Sequence, residues 1–195
     1  MAVPENRRTI SDVRALAALA HPVRVALLNH LLAVGARTAS QCSAAVAASP
    51  SACSYHLRQL ARWGFVEPVA GEDARERPWR ATATGFAFGE RTDNPEMLAA
   101  QQALLAIQLD SDVALAREFL RRADDLEPRW RDAAEFGRFS LQVTPAELAE
   151  LVGRLDALIR PLIGLTRTDA PADARPVHLT LSAFPDPTVT EGGNR

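Results

Sequence analysis

Two helix starts eleven residues apart constrain this chain more than any other feature. Thr38-Ala39-Ser40-Gln41 reads as a capping box, in which the Thr38 hydroxyl and the Gln41 amide each satisfy a backbone N–H left unpaired at a helix start. Ser49 caps a following helix, and Pro50 takes its first position, where a missing N–H costs nothing. The first of these helices must therefore stop by about Ala48. The second carries Cys53, Leu57 and Leu60 as its buried stripe and ends at Gly64, which suits a left-handed C-terminal residue. Two short helices joined by a tight turn form a helix-turn-helix.

The flanking sequence extends this pattern. Ser11 and Asp12 give a helix start, followed at helical spacing by Val13, Leu16, Ala17 and Ala20, and the helix should end near His21-Pro22. Pro22 opens a second helix with an apolar stripe of Val23, Ala26, Leu27 and Leu31, stopped by Gly35. Beyond Gly64, Phe65 to Val69 and Pro78 to Thr82 read as two short strands around a polar tip, Ala70 to Arg77. Pro68 and Pro78 confine this ribbon to an edge, as in a projecting wing, with Trp79 expected as a core plug beneath it.

Function is carried by the other face of the second short helix. Ser51, Ser54, Tyr55, Arg58, Gln59 and Arg62 lie away from the Cys53, Leu57, Leu60 stripe and should point outward together. Arginine can bind guanine in a bidentate manner, glutamine can do so with adenine, and the hydroxyls reach phosphates or base edges. A merely solvated polar face is the alternative. Arg75 and Arg77 in the wing tip suit phosphate contact, although Glu72, Asp73 and Glu76 share that tip. The net charge of -2 hides a division: residues 1–91 carry eleven Arg against seven acids, and residues 92–195 carry eleven against seventeen.

Leu19-Ala20-His21-Pro22-Val23-Arg24 with Leu27-Leu28, then Ser54-Tyr55-His56-Leu57-Arg58-Gln59-Leu60, Trp63-Gly64-Phe65-Val66 and Arg75-Glu76-Arg77 stand in the order and spacing of a known family. Over roughly residues 11–85 the chain resembles the ArsR-like bacterial winged-helix regulators. The resemblance implies a homodimer whose recognition helices, here about 50–63, enter successive major grooves of a palindromic operator, repressing transcription until an inducer arrives. It also implies that Ser51, Ser54, Tyr55, His56 and Arg58 contact DNA. His56 has a second reading, packing at the junction of helix and wing, and His21 reads as a helix-boundary residue. The chain departs from the metal-sensing members, because Cys42 stands alone between Gln41 and Ser43 and residues 95–125 hold no His or Cys. No metal or cofactor is expected. Cys42 and Cys53 read as small apolar residues, not as a disulfide or a redox pair.

The second half begins after a linker over 84–93. Asn94-Pro95-Glu96 opens a long helix, continuous or broken near Asp110-Ser111-Asp112, whose Ala- and Leu-rich face suits dimerisation or an internal core. Residues 138–143 and 177–184 alternate apolar and polar side chains, and Thr144-Pro145-Ala146-Glu147 opens a helix between them. This predicts a strand-helix-strand unit whose strands pair within a subunit or across the dimer, and whose neighbourhood of Phe119, Trp130, Phe136, Phe139 and Phe184 either fills a core or lines a pocket for an apolar effector.

The expected fold is mainly α with small β, divided into a winged helix-turn-helix DNA-binding domain (1–88), a dimerisation and effector domain (94–185) and a disordered tail (186–195). With no signal peptide, no run of apolar residues long enough for a membrane span, and no Walker, GxSxG, HExxH or GxGxxG motif, the chain reads as cytoplasmic and non-enzymatic. The expected function is sequence-specific transcription regulation on double-stranded DNA, as a repressor released by a small non-metal effector. The alternative is a winged-helix module for protein–protein contact.

Overall fold

The computed structural model describes residues 8–71, 76–87 and 92–189. Its helices start where side chains can cap them. The Asp12 carboxylate accepts from the backbone N–H groups of Arg14 and Ala15 at 2.7 and 3.2 Å, opening α1 (Val13–Leu19). His21 caps α2 (Pro22–Val34) through Nδ1, which accepts from the Val23 N–H at 3.2 Å. The Thr38–Gln41 capping box opens α3 (Ala39–Ala45), and the Ser49 hydroxyl opens α4 (Pro50–Arg62). The turn between α3 and α4 holds Ala47 at φ 49°, in the left-handed region.

The apolar stripes of these four helices close one core. Leu16, Leu19, Leu27, Leu28, Leu31, Cys42, Cys53, Leu57 and Leu60 are all buried in it. After α4 the chain turns at Gly64 (φ 67°), and β2 (Val66–Pro68) pairs antiparallel with β3 (Trp79–Ala81). Trp79 also exchanges backbone hydrogen bonds with Arg37 at 2.8 and 3.0 Å and packs against the core, as expected of a plug beneath the wing. A second small sheet was not foreseen. β1 (Arg8–Thr9) pairs in parallel with β4 (Phe86–Ala87), so the expected linker over 84–93 contains a strand.

α5 (Pro95–Arg122) is one continuous helix through Asp110-Ser111-Asp112. Met97, Ala100, Leu104 and Ile107 recur at spacings of three and four residues and pack against the core formed by α1 to α4. The opposite seam, Leu98, Leu105, Leu109, Ala116 and Leu120, is spaced seven and four residues apart and faces outward: its four leucines are 36–62% exposed, and Ala116 is half-buried. A short 3-10 turn (Ala123–Asp125), α6 (Pro128–Asp132) and α7 (Pro145–Ile159) follow. The Thr144–Glu147 capping box of α7 forms as the sequence predicts.

As a unit closed within one chain, the expected strand-helix-strand is corrected. Only its helix is present; residues 138–143 and 177–184 lie in no strand, and their backbones make no backbone–backbone hydrogen bond among the described residues. A strand exists only through a paired neighbour, and neither segment has one here. The aromatic pocket goes with it, because Phe136, Phe139 and Phe184 are exposed by 62, 83 and 71%. Among the described residues beyond Leu104, none is buried.

Candidate nucleic-acid interface

The sequence of α4 dictates two faces. Cys53, Leu57 and Leu60 are fully buried against α2 and α3, and this anchoring turns the polar side chains to solvent. Ser51, Tyr55, Arg58 and Arg62 are exposed, with Ser54 and Gln59 half-buried beside them. The side chains support one another along the helix: Arg58 Nη1 donates to the Ser54 hydroxyl at 2.9 Å, and Arg62 Nη1 to Gln59 Oε1 at 3.5 Å. Both are weak, solvent-exposed contacts that a base or phosphate can replace. Arg77 is exposed at the near end of β3, and Arg75 lies outside the described residues.

His56 is not brought together with this set. Its ring sits 4.5 Å from that of His21 and edge-on to Tyr55 at 5.1 Å, with Nδ1 buried and without a partner among the described residues. Burial, then His21 and Arg24 as neighbouring positive charges, lower its pKa from the usual histidine value. Burial and Arg24 lower that of His21 in the same way. Arg24 lies half-buried in this junction, with its Nε unpartnered among the described residues. His56 thus ties the outward helix to the start of α2, consistent with the packing alternative for this residue.

The C-terminal end of α4 is held by residues that no sequence motif marks. The Gly64 carbonyl accepts from Arg8 Nη1 and from the Thr82 hydroxyl, both at 2.6 Å, and the Phe65 N–H donates to the Leu60 carbonyl at 3.0 Å. Arg8 also lies over the Phe65 ring, 5.9 Å from its centre. A cation at the negative end of the helix dipole is favourable, but Arg8 precedes every helix pattern in the sequence and carries no local signal there.

Residues 19–69 match a family model described as a helix-turn-helix domain. The match runs from the end of α1 through the first wing strand, so it spans the helices just described. No curated protein matches the chain. The mainly helical chain thus carries, near its N-terminus, a helix-turn-helix domain, a class that suggests DNA-binding regulation.

Other chemistry around the helix-turn-helix is muted. Burial, with Cys53 close by, pushes the Cys42 thiol up to about 11, and burial raises Cys53 as well, so both are protonated thiols near neutral pH. Among the described residues no group of three or more His, Cys, Asp and Glu side chains is arranged to hold a metal ion. Among the described residues no single helix is long and apolar enough to cross a membrane. An open cleft of about 310 Å3 lies between α2, the end of α3 and the middle of α5, lined by Val23, Ala26, Val46 and Ile107 with Asp110 and Ser111 beside them.

Proposed function

We propose that this protein is a sequence-specific transcription regulator that grips double-stranded DNA through α4 and its wing, acting as a cytoplasmic homodimeric repressor on a palindromic operator. The observation that carries the reading is the outward presentation of Ser51, Ser54, Tyr55, Arg58, Gln59 and Arg62 by a fully buried Cys53, Leu57, Leu60 back. Arg58 and Gln59 are the base readers; Ser51, Ser54, Tyr55 and Arg62, with Arg75 and Arg77 from the wing, position the helix on the phosphates. His56 orients the helix from beneath. Residues 1–88 form the DNA-binding part and residues 94–185 the dimerisation part, where the outer seam of α5 meets its counterpart. A small apolar effector acts at the cleft between α2, α3 and α5, because those elements set the pose of α4.

Selection of bound genomic fragments followed by fluorescence anisotropy tests this reading. Arg58→Ala is expected to weaken binding to the selected operator by about 1–3 kcal/mol and to relax preference at one base position. Arg77→Ala is expected to weaken selected and random DNA alike and to reduce the salt dependence of binding. Indifference of the wild-type protein to DNA at low salt would defeat the proposal.

A further inference from the structure

The surface left by the second half of the chain is too large for a finished monomer. A compact protein of 21.1 kDa exposes about 9,000 Å2. This chain exposes 14359 Å2. Even if residues 1–7, 72–75, 88–91 and 190–195 were wholly extended they would supply only about 3,300 Å2 of the excess. Roughly 2,000 Å2 remains, which is what each partner buries in an obligate homodimer. The excess is not spread evenly. Of the 20 large hydrophobic side chains that stand exposed among the described residues, every one except Tyr55 lies beyond residue 92.

Three of these exposed apolar sets have the geometry of regular structure awaiting a neighbour. One is the outer seam of α5, where Gln102 and Ala106 lie alongside the leucines in place of charges. The other two are the alternating segments, Phe139, Leu141 and Val143 in the first and Val177, Leu179 and Leu181 in the second, exposed by 43–83%. The second segment is not loose at its root. Arg129 pairs with Asp173 at 3.0 Å, Arg175 pairs with Glu127 and lies over the Trp130 ring, and His178 Nε2 meets Asp112 Oδ1 at 3.1 Å on α5. The second segment is thereby fastened beside α5, while its backbone N–H and C=O groups have no backbone partner among the described residues. A period-two apolar face with open edges is a template for strand addition.

We propose that residues 139–143 and 177–183 become strands only in the homodimer, where those of one copy pair with those of the other into a shared sheet that continues the α5 interface. A second copy fits because it brings an identical unsatisfied edge and an identical seam, so one two-fold axis covers both at once. The inference rests on the dimeric reading of the preceding subsection and extends it to a named interface.

Hydrogen–deuterium exchange of the full chain, paired with sedimentation equilibrium, tests it. In the dimer the amides of 139–143 and 177–183 are expected to exchange at least about tenfold more slowly than in a monomeric Leu105→Glu, Leu109→Glu variant or in the diluted wild-type protein. A dimer whose two segments exchange as fast as in the monomer overturns the shared sheet and leaves the dimeric regulator standing. Protection that persists unchanged in the monomer also overturns it, by placing the pairing within one chain. A wild-type protein that stays monomeric at high concentration removes both readings. As a second variant, Leu179→Lys with Leu181→Lys should shift sedimentation towards the monomer, and unchanged association would count against the sheet.

Discussion

At the residue scale, the junction of His21, Arg24 and His56 makes the anchoring of α4 dependent on pH. Both imidazoles have pKa values lowered by burial first and by neighbouring positive charge second, so the folded protein binds their protons less readily than the unfolded chain does. The sign follows: stability is fully present above the ordinary histidine value of 6.5 and is lost as pH falls through the lowered folded values. His30 is lowered by burial and by Arg37 and acts in the same direction. Each histidine contributes a slope of at most about 1.4 kcal/mol per pH unit. Urea unfolding between pH 7.5 and 5 is expected to show this decline, and His56→Gln should flatten it; an identical profile in the variant would remove His56 from the account. The outward polar set was legible residue by residue because the positions of Cys53, Leu57 and Leu60 fix where their neighbours point. The inward set was not, since His56 meets His21 only after two helices have packed.

At the scale of elements, caps and turns decided the boundaries. Thr38, Ser49, Asn94 and Thr144 each cap the helix that their local sequence announces, because a cap needs only a side chain and the N–H two or three residues ahead. The turn between α3 and α4 was less legible. Nothing in a run of Ala and Val marks Ala47 for a positive φ, yet the approach of two packed helices forces it there. A β-carbon in that region costs more than the added chain freedom of glycine, so Ala47→Gly is expected to stabilise the protein by about 0.5–1 kcal/mol. Thr38→Ala should have the opposite effect, a loss of about 1 kcal/mol with the cap. Thermal unfolding of the two variants beside the parent checks both signs.

At the scale of the whole molecule, one half carries a closed core and the other presents its apolar residues to solvent. α5 joins them by packing Met97, Ala100, Leu104 and Ile107 on the helix-turn-helix and turning its leucine seam away. If that seam pairs two copies and the pair binds a palindromic operator as proposed, the second α4 meets its half-site at a high effective concentration. Leu105→Glu with Leu109→Glu is accordingly expected to halve the mass in sedimentation and to weaken binding to the full palindrome by about a hundredfold or more. A variant of full dimeric mass and unaltered affinity would place the interface elsewhere.

What the sequence determined alone was governed by contacts a few residues apart: where each major helix begins and, for α4, which stripe it buries and which side chains it turns to solvent. α5 instead packs Met97, Ala100, Leu104 and Ile107, and α7 buries no residue of its stripe. Helical periodicity and capping are local, so the starts of α1 to α5 and α7 could be read directly from the chain, while the continuity of α5 through Asp110-Ser111-Asp112 could not. Tertiary structure decided what depends on distant partners, including Arg8 clamping the end of α4, the parallel pairing of Arg8–Thr9 with Phe86–Ala87 and the strained Ala47. The alternating segments at 138–143 and 177–184 mark the boundary between the two. Their pattern encodes a face for burial, but a strand takes its hydrogen bonds from another strand, and no residue within either segment can supply them.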